Sequence, residues 1–125
     1  MSDKVNAVSV KGIYKNYGNV EALRDMSLDF PKGQLTSLLG PSGCGKTTLL
    51  KIIAGLLAPN QGEVYVNGQI VTEPGPDRAF VFQDFALMPW ASVLRNVAFG
   101  LELRKVAKSE REDIARKYIK DVGLD

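Results

Sequence analysis

Short segments in the first two thirds of the chain either alternate hydrophobic and polar residues or are largely apolar, and turn residues separate them. Alternation indicates a half-buried strand, whereas a short apolar run indicates a strand covered on both faces. Gln34–Leu39 is of the second kind, because it is largely apolar and directly precedes a glycine-rich loop. The strands predicted in this way are Val5–Lys15, Val20–Phe30, Gln34–Leu39, the hairpin of Glu63–Asn67 with Gln69–Thr72, and Ala79–Gln83.

Three helices are predicted where apolar residues recur every three or four positions. The first begins at Lys46 and leaves almost no polar face, which is typical of a helix covered on most sides. The second follows the apolar face that repeats from 93 to 101. The third is predicted to open with a capping box of Ser109 and Glu112 and to end at Gly123. Strands, a helix, further strands and two helices indicate the α/β class.

The composition excludes several kinds of chemistry. The 125 residues contain no histidine and one cysteine, Cys44, which excludes a Ser–His–Asp triad, an imidazole metal site, an internal disulfide and a multi-cysteine zinc site. The net charge of +2 does not favour a nucleic-acid partner. The most apolar stretch, Thr47–Ala58, contains Lys51 and is shorter than the roughly 20 residues that span a bilayer. The first residues lack the pattern of a signal peptide, so we expect a cytoplasmic chain.

The segment from Gly40 to Thr47 matches the phosphate-loop pattern G-x-x-x-x-G-K-[ST] in full. Its glycines let the backbone pass close to phosphate oxygens, and the following helix adds the positive partial charge of its N-terminus. We expect Lys46 to reach the β- and γ-phosphates and the Thr47 hydroxyl to bind Mg²⁺. The predicted nucleotide-binding residues of this segment are Gly40, Pro41, Ser42, Gly43, Cys44, Gly45, Lys46, Thr47 and Thr48. A nucleoside triphosphate with Mg²⁺ is the predicted ligand, and a glycine-rich turn without a ligand is the alternative.

Two longer stretches extend the pattern beyond this loop, GPSGCGKTTLLKIIAGLLAPNQGEVYVNG and VFQDFALMPWASVLRNVAFGLEL. They resemble the nucleotide-binding subunit of an ABC transporter, and the resemblance extends from about Val8 to Gly123. It implies a P-loop NTPase of the ABC-cassette type, with N-terminal antiparallel strands, a P-loop strand and helix, and the start of a helical subdomain. Residues 1–125 would then be one partial nucleotide-binding domain, with an ATP-binding core at about 1–90 and the helical subdomain beginning at about 91–125.

The resemblance also assigns roles to two residues outside the loop. Tyr17 lies 23 residues before Gly40, where the family has an aromatic ring that stacks on adenine, although the residue by itself favours a sheet or turn aromatic over a ligand contact. Gln83 matches the glutamine of the family's Q-loop, whose amide oxygen approaches Mg²⁺ and the attacking water. A glutamine at a strand end is otherwise simply solvated. The implied catalytic residues are therefore Lys46 and Gln83, and the implied metal ligands are Thr47 and Gln83.

The segment Leu87-Met88-Pro89-Trp90 has two interpretations. Its bulky residues are either the core of the helical subdomain or part of a groove that receives a coupling helix of a membrane subunit. Together with its flanks it is similar to the branch of nitrate, sulfonate and taurine importers. The resemblance implies a second ATP-binding subunit in a head-to-tail dimer, permease subunits that dock around Gln83 to Trp90, and indirectly an extracytoplasmic solute-binding protein. It places the chain on the inner face of the cell membrane as a peripheral subunit.

The resemblance covers the N-terminal half of the cassette. The family pattern continues with an LSGGQ-type signature, a Walker B strand and a switch histidine, none of which occurs in these residues. The family activity is that of an ATPase, but we expect this chain alone to bind Mg-ATP without hydrolysing it. The alternatives are a non-hydrolytic binding module, an inactive fragment, a P-loop kinase or a GTPase. A kinase usually begins close to its phosphate loop, whereas 39 residues precede this one, and the N-K-x-D segment of a GTPase is missing.

Overall fold

The computed structural model describes residues 5–41, 45–83 and 86–124. Its elements are β1 (Asn6–Tyr17), β2 (Val20–Pro31), α1 (Lys46–Ala54), β3 (Gln61–Val66), β4 (Gln69–Ile70), α2 (Val93–Leu103) and α3 (Lys108–Asp121). The chain divides into two compact units, Met1–Phe80 and Val81–Asp125. The first contains the strands and α1, and the second contains α2 and α3.

The strands of the first unit form one sheet in the order β2-β1-β3-β4, with antiparallel neighbours throughout. Asn67 and Gly68 both have positive φ, 50° and 80°, as a tight two-residue hairpin turn between β3 and β4 requires. The predicted N-terminal antiparallel strands and the small hairpin are therefore confirmed, with ends shifted by a few residues.

A bulge in β1 adapts the strand to the core. Val10 and Ile13 are both buried although they lie three positions apart, a spacing that would put them on opposite faces of a regular strand. The pairing of β1 with β2 shifts register between these two residues, and Gly12 adopts a φ of 58° there. The backbone N–H of Gly12 donates to the Ser27 hydroxyl at 2.9 Å, so the extra residue keeps a hydrogen-bond partner.

The core of the first unit lies between the sheet and α1. Leu49 and Ile52, one turn apart on α1, pack against buried residues of the strands. Of the nine residues of α1 only Thr47 and Leu50 are exposed, Leu50 to 43%. The prediction of a helix covered on most sides is therefore confirmed, with one open strip. The buried members of this core are Val10, Ile13, Leu23, Leu49, Ile52 and Val64.

Two predicted strands are wrong. Gln34–Leu39 and Ala79–Gln83 lie outside regular secondary structure, and Leu39 and Val81 are each 94% exposed. A buried strand needs hydrogen-bonded neighbours and cover on both faces. No strand among the described residues pairs with either segment. The predicted P-loop strand is consequently not part of the described sheet, whereas the helix that follows the loop is present.

In the second unit, α2 and α3 contact each other, and the unit contains buried small residues and one charge cluster. Ala98 of α2 and Ala115 of α3 are buried, and small side chains allow helices to approach closely. Glu102 lies between two arginines, 3.7 Å from the Arg95 Nε and 3.6 Å from an Arg111 Nη. None of the helices in the described ranges is both long and apolar enough to cross a bilayer.

The predicted capping box of α3 is wrong. The helix begins at Lys108 with Ala107 as its N-cap, so Ser109 already lies in the first turn and no side-chain cap forms. At the other end Gly123 has a φ of 77° and donates its N–H to the Lys120 carbonyl at 2.9 Å, as predicted for a C-terminal cap.

Candidate functional site

Gly45 joins the phosphate loop to α1 and is its N-cap, with a φ of 91°. A Cβ atom at this position would lie 2.7 Å from the Ala22 carbonyl oxygen and 2.8 Å from a Leu23 methyl carbon. The loop therefore passes so close to β2 that both the dihedral angle and the available space require glycine. The predicted contacts of Ser42, Gly43 and Cys44 lie outside the described residues.

The N-terminus of α1 has the electrostatic character of an anion site. Its first turn contains no acidic residue, and no side chain among the described residues caps it. The first backbone N–H groups of a helix have no partner within that helix. These donors, the positive end of the helix dipole and the ammonium group of Lys46 together favour a negatively charged ligand.

The Lys46 side chain folds back toward Gly40, where its Nζ donates a hydrogen bond to the Gly40 carbonyl oxygen. The first and last glycines of the loop motif are thus connected through this lysine. The ammonium group lies beside the Gly40 backbone, and its contact with phosphate oxygens stays a prediction.

A cavity of about 300 Å³ adjoins this loop but has the wrong lining for a triphosphate. Leucine and methionine side chains from β2, α1 and the segment before the loop form most of its wall. The rest of the wall includes Gly40, Gly45 and Lys46. The donors that could compensate a phosphate group for its lost hydration therefore lie where the cavity meets the start of α1.

Tyr17 at the end of β1 reaches the same end of α1. Its hydroxyl lies 3.5 Å from the Thr48 hydroxyl oxygen, and the residue is 49% exposed. Thr47, one position earlier, is exposed on the first turn of the helix. The structure thus brings Tyr17 to Thr48 in the first turn of the helix that follows the loop, while the stacking role of Tyr17 stays a prediction.

The predicted Q-loop and the bulky segment after it belong to the second unit. Gln83 is exposed and lies in a bend, not at the end of a strand. Leu87 is 68% exposed and Trp90 is 77% exposed. Leu87 and Trp90 are therefore not part of a core among the described residues, and docking of a partner on this surface stays a prediction.

Asn96 is a structural residue of this surface that the sequence did not reveal. Its Oδ1 accepts a hydrogen bond from the Met88 N–H at 2.8 Å, and its Nδ2 donates to the Met88 and Ser92 carbonyls at 3.2 and 2.9 Å. The amide therefore fixes the turn from 88 to 92, which displays Trp90. An asparagine inside a helix was the available signal, because its side chain usually competes with helical hydrogen bonding.

Comparison with known proteins adds a family relationship to this geometry. Residues 23–125 match the family model described as ABC transporter. An uncharacterized ABC transporter ATP-binding protein of Methanocaldococcus jannaschii is 48% identical over 126 residues, which cover all of this chain and 47% of that protein. The taurine import ATP-binding protein TauB of Roseobacter denitrificans is 46% identical over 120 residues, with 96% of this chain and 45% of that protein covered.

Solved structures of ATP-binding cassettes support the same family relationship. The ATP-binding cassette MJ0796, in a dimeric post-hydrolysis state bound to ADP and Pi, superposes with a TM-score of 0.79 at 32% identity. The match covers 90% of this chain and 56% of the cassette. The chain spans about half the length of the curated relatives it matches.

Proposed function

The chain belongs to the ABC transporter family as an ATP-binding cassette, and on that premise we propose that it binds Mg-ATP at the loop before α1 as part of an importer. The family and the α/β cassette fold predicted from the sequence are thereby confirmed. The importer would couple the binding and hydrolysis of Mg-ATP to the uptake of a solute.

The observation that supports nucleotide binding most strongly is the junction of the loop with α1. Gly45 brings the backbone against β2, and the helix start offers donors that no described side chain caps. Lys46 adds a full positive charge at the same point. A triphosphate supplies the acceptor oxygens and the negative charge that this junction lacks.

The proposed residue roles are those that the loop motif and the family resemblance imply. Lys46 would contact the β- and γ-phosphates, the Thr47 hydroxyl would bind Mg²⁺, and Tyr17 would stack on the base. Gln83 would approach Mg²⁺ and the attacking water. When bound, Mg²⁺ neutralises charge on the phosphate oxygens during transfer.

The solute and the partners are inferred from the relatives. TauB carries taurine import in its name, which supports nitrate, a sulfonate, taurine or a similar small solute. The dimeric neighbour supports pairing with a second ATP-binding subunit. The exposed Leu87 and Trp90 support docking of permease subunits on the inner face of the membrane, with an extracytoplasmic binding protein acting through them.

The 125 residues tested by themselves should bind the nucleotide but hydrolyse it at most marginally. Lys46 and Gln83 stabilise phosphate charge and orient water, but a carboxylate that positions the water is a further part of the reaction. Colorimetric phosphate release measures this directly. Turnover at the rate of a complete dimeric cassette would contradict the proposal.

Titration calorimetry with Mg-ATP tests the site itself. Lys46→Ala should weaken binding about tenfold or more, because a charge-assisted hydrogen bond is lost. Lys51→Ala is the matched control, since it removes the same charge from the last turn of the same helix. Equal affinity of the two variants would contradict the assigned site. Competition by GTP as strong as by ATP would favour a GTPase instead.

A further inference from the structure

Lys15 lies beside Tyr17, and none of the residue roles proposed above involves it. Its Nζ lies over the Tyr17 ring, 5.6 Å from the ring centroid. The same atom donates a hydrogen bond to the Ala58 carbonyl oxygen at 2.9 Å. One ammonium group therefore connects the aromatic ring at the end of β1 to the loop that follows α1.

Two further hydrogen bonds connect this end of β1 to the loop that follows α1. The Asn60 N–H donates to the Tyr14 carbonyl at 2.8 Å. The Asn16 N–H donates to the Asn60 side-chain oxygen at 2.7 Å. The backbone around Lys15 is thus fixed, and Lys15 is the residue that extends this fixation to the Tyr17 ring.

The other contact of the ring is weak by comparison. The Tyr17 and Thr48 hydroxyls are 3.5 Å apart, which is long for an O–H···O hydrogen bond. Tyr17 is also 49% exposed, so packing alone leaves the ring free to turn. A cation held over the ring by a backbone carbonyl restricts that motion. The exposed half of Tyr17 stays accessible to a base.

We propose that Lys15 is a positioning residue for the nucleotide base, and this rests on the proposed function of the loop. The Lys15 ammonium holds the Tyr17 ring by one face, so that a purine stacks on the other. Holding the ring in advance lowers the conformational entropy that is lost when the base binds. Lys15 acts on the base through Tyr17, whereas the phosphates are bound by the loop.

The test compares two ligands that share phosphate chemistry and differ in the base. Affinities for Mg-ATP and for Mg-tripolyphosphate are measured for wild type, Lys15→Met and Lys15→Gln. Lys15→Arg is the conservative variant that retains the cation. Lys11→Met is the matched control, because Lys11 lies on the same strand with its Nζ 5.1 Å from the centroid of the Tyr65 ring. Far-UV circular dichroism verifies that each variant is folded.

Lys15→Met and Lys15→Gln should weaken Mg-ATP binding about two- to fivefold, the size of one exposed cation–π contact. Mg-tripolyphosphate binding should not change, and Lys15→Arg should restore ATP affinity. Equal losses for both ligands would overturn the proposal, since Lys15 would then act as a general attractor of anions. An unchanged ATP affinity, or the same loss in Lys11→Met, would overturn it as well. If wild type binds neither ligand, the proposed function itself fails.

Discussion

Replacing Gly45 by alanine should destabilise the first unit by about 1–3 kcal/mol more than the same replacement at Gly18. Both glycines have positive φ, 91° and 60°. Alanine at either position therefore incurs a backbone strain of about 1–2 kcal/mol. The lower entropy of the unfolded chain offsets about 0.4–1 kcal/mol of that strain at both sites.

The two positions differ in the space around the new methyl group. At Gly45 a Cβ would lie 2.7 Å from the Ala22 carbonyl oxygen and 2.8 Å from a Leu23 methyl carbon, whereas nothing lies within 4 Å at Gly18. Overpacking of this kind costs about 1–3 kcal/mol. The carbonyl belongs to the backbone of β2, so the loop has to move, and Mg-ATP affinity should fall with the stability.

Urea unfolding followed by far-UV circular dichroism gives the free energy of unfolding of both variants. An unchanged m-value would show that the same surface is exposed in each case. Gly18→Ala should remain within about 1.5 kcal/mol of wild type and retain its Mg-ATP affinity. Equal destabilisation by the two substitutions would refute the argument that the loop is pressed against β2.

Three further predictions address other parts of the molecule. Tyr17→Ala should reduce Mg-ATP affinity by about 1–3 kcal/mol while Tyr17→Trp preserves it, and equal affinities in calorimetry would contradict base stacking. Asn96→Ala should destabilise the second unit by about 1–3 kcal/mol. The fluorescence of Trp90, the single tryptophan, should then change at a lower urea concentration than in wild type. An unchanged urea midpoint would contradict this prediction. The hydrogen bond to Glu63 raises the pKa of Tyr65. The stabilisation of the fold by this hydrogen bond is therefore fully present below the ordinary tyrosine pKa near 10, and it is lost as the pH rises through the raised pKa of Tyr65. Glu63→Gln should lower the pH midpoint at which Tyr65 ionises, measured by absorbance at 295 nm. Identical midpoints for wild type and Glu63→Gln would contradict this role of Glu63.

The helix that follows the predicted phosphate loop was predictable because its signals are local. The spacing of Gly45 and Lys46 in the motif follows from the chemistry of phosphate binding, and the structure places both at the start of α1. The turn of Asn67 and Gly68 was predictable for the same reason, since the two residues themselves determine the hairpin geometry.

The predicted strand Gln34–Leu39 failed because its signal is not local. An apolar run indicates that a segment suits burial, but a strand forms only where a neighbour supplies hydrogen bonds. Leu35 is 97% exposed in the described part of the chain. The prediction of a capping box at Ser109 was wrong for another reason. The helix begins at Lys108, one residue before the predicted cap.

The contacts of Lys15 could not be predicted from the sequence for a third reason. Its hydrogen bond to Ala58 joins residues 43 positions apart, so only the tertiary structure brings the two groups together. Asn96 contacts residues four to eight positions away, and no general pattern predicts such a turn.

Amide hydrogen exchange with and without Mg-ATP tests the central claim most directly, because it locates the bound phosphates on the chain. Exchange should slow in peptides that cover residues 40–48 of the wild-type protein, and Lys46→Ala should show little slowing at the same nucleotide concentration. Unchanged exchange in this loop, or slowing confined to another segment such as 70–78, would contradict the account.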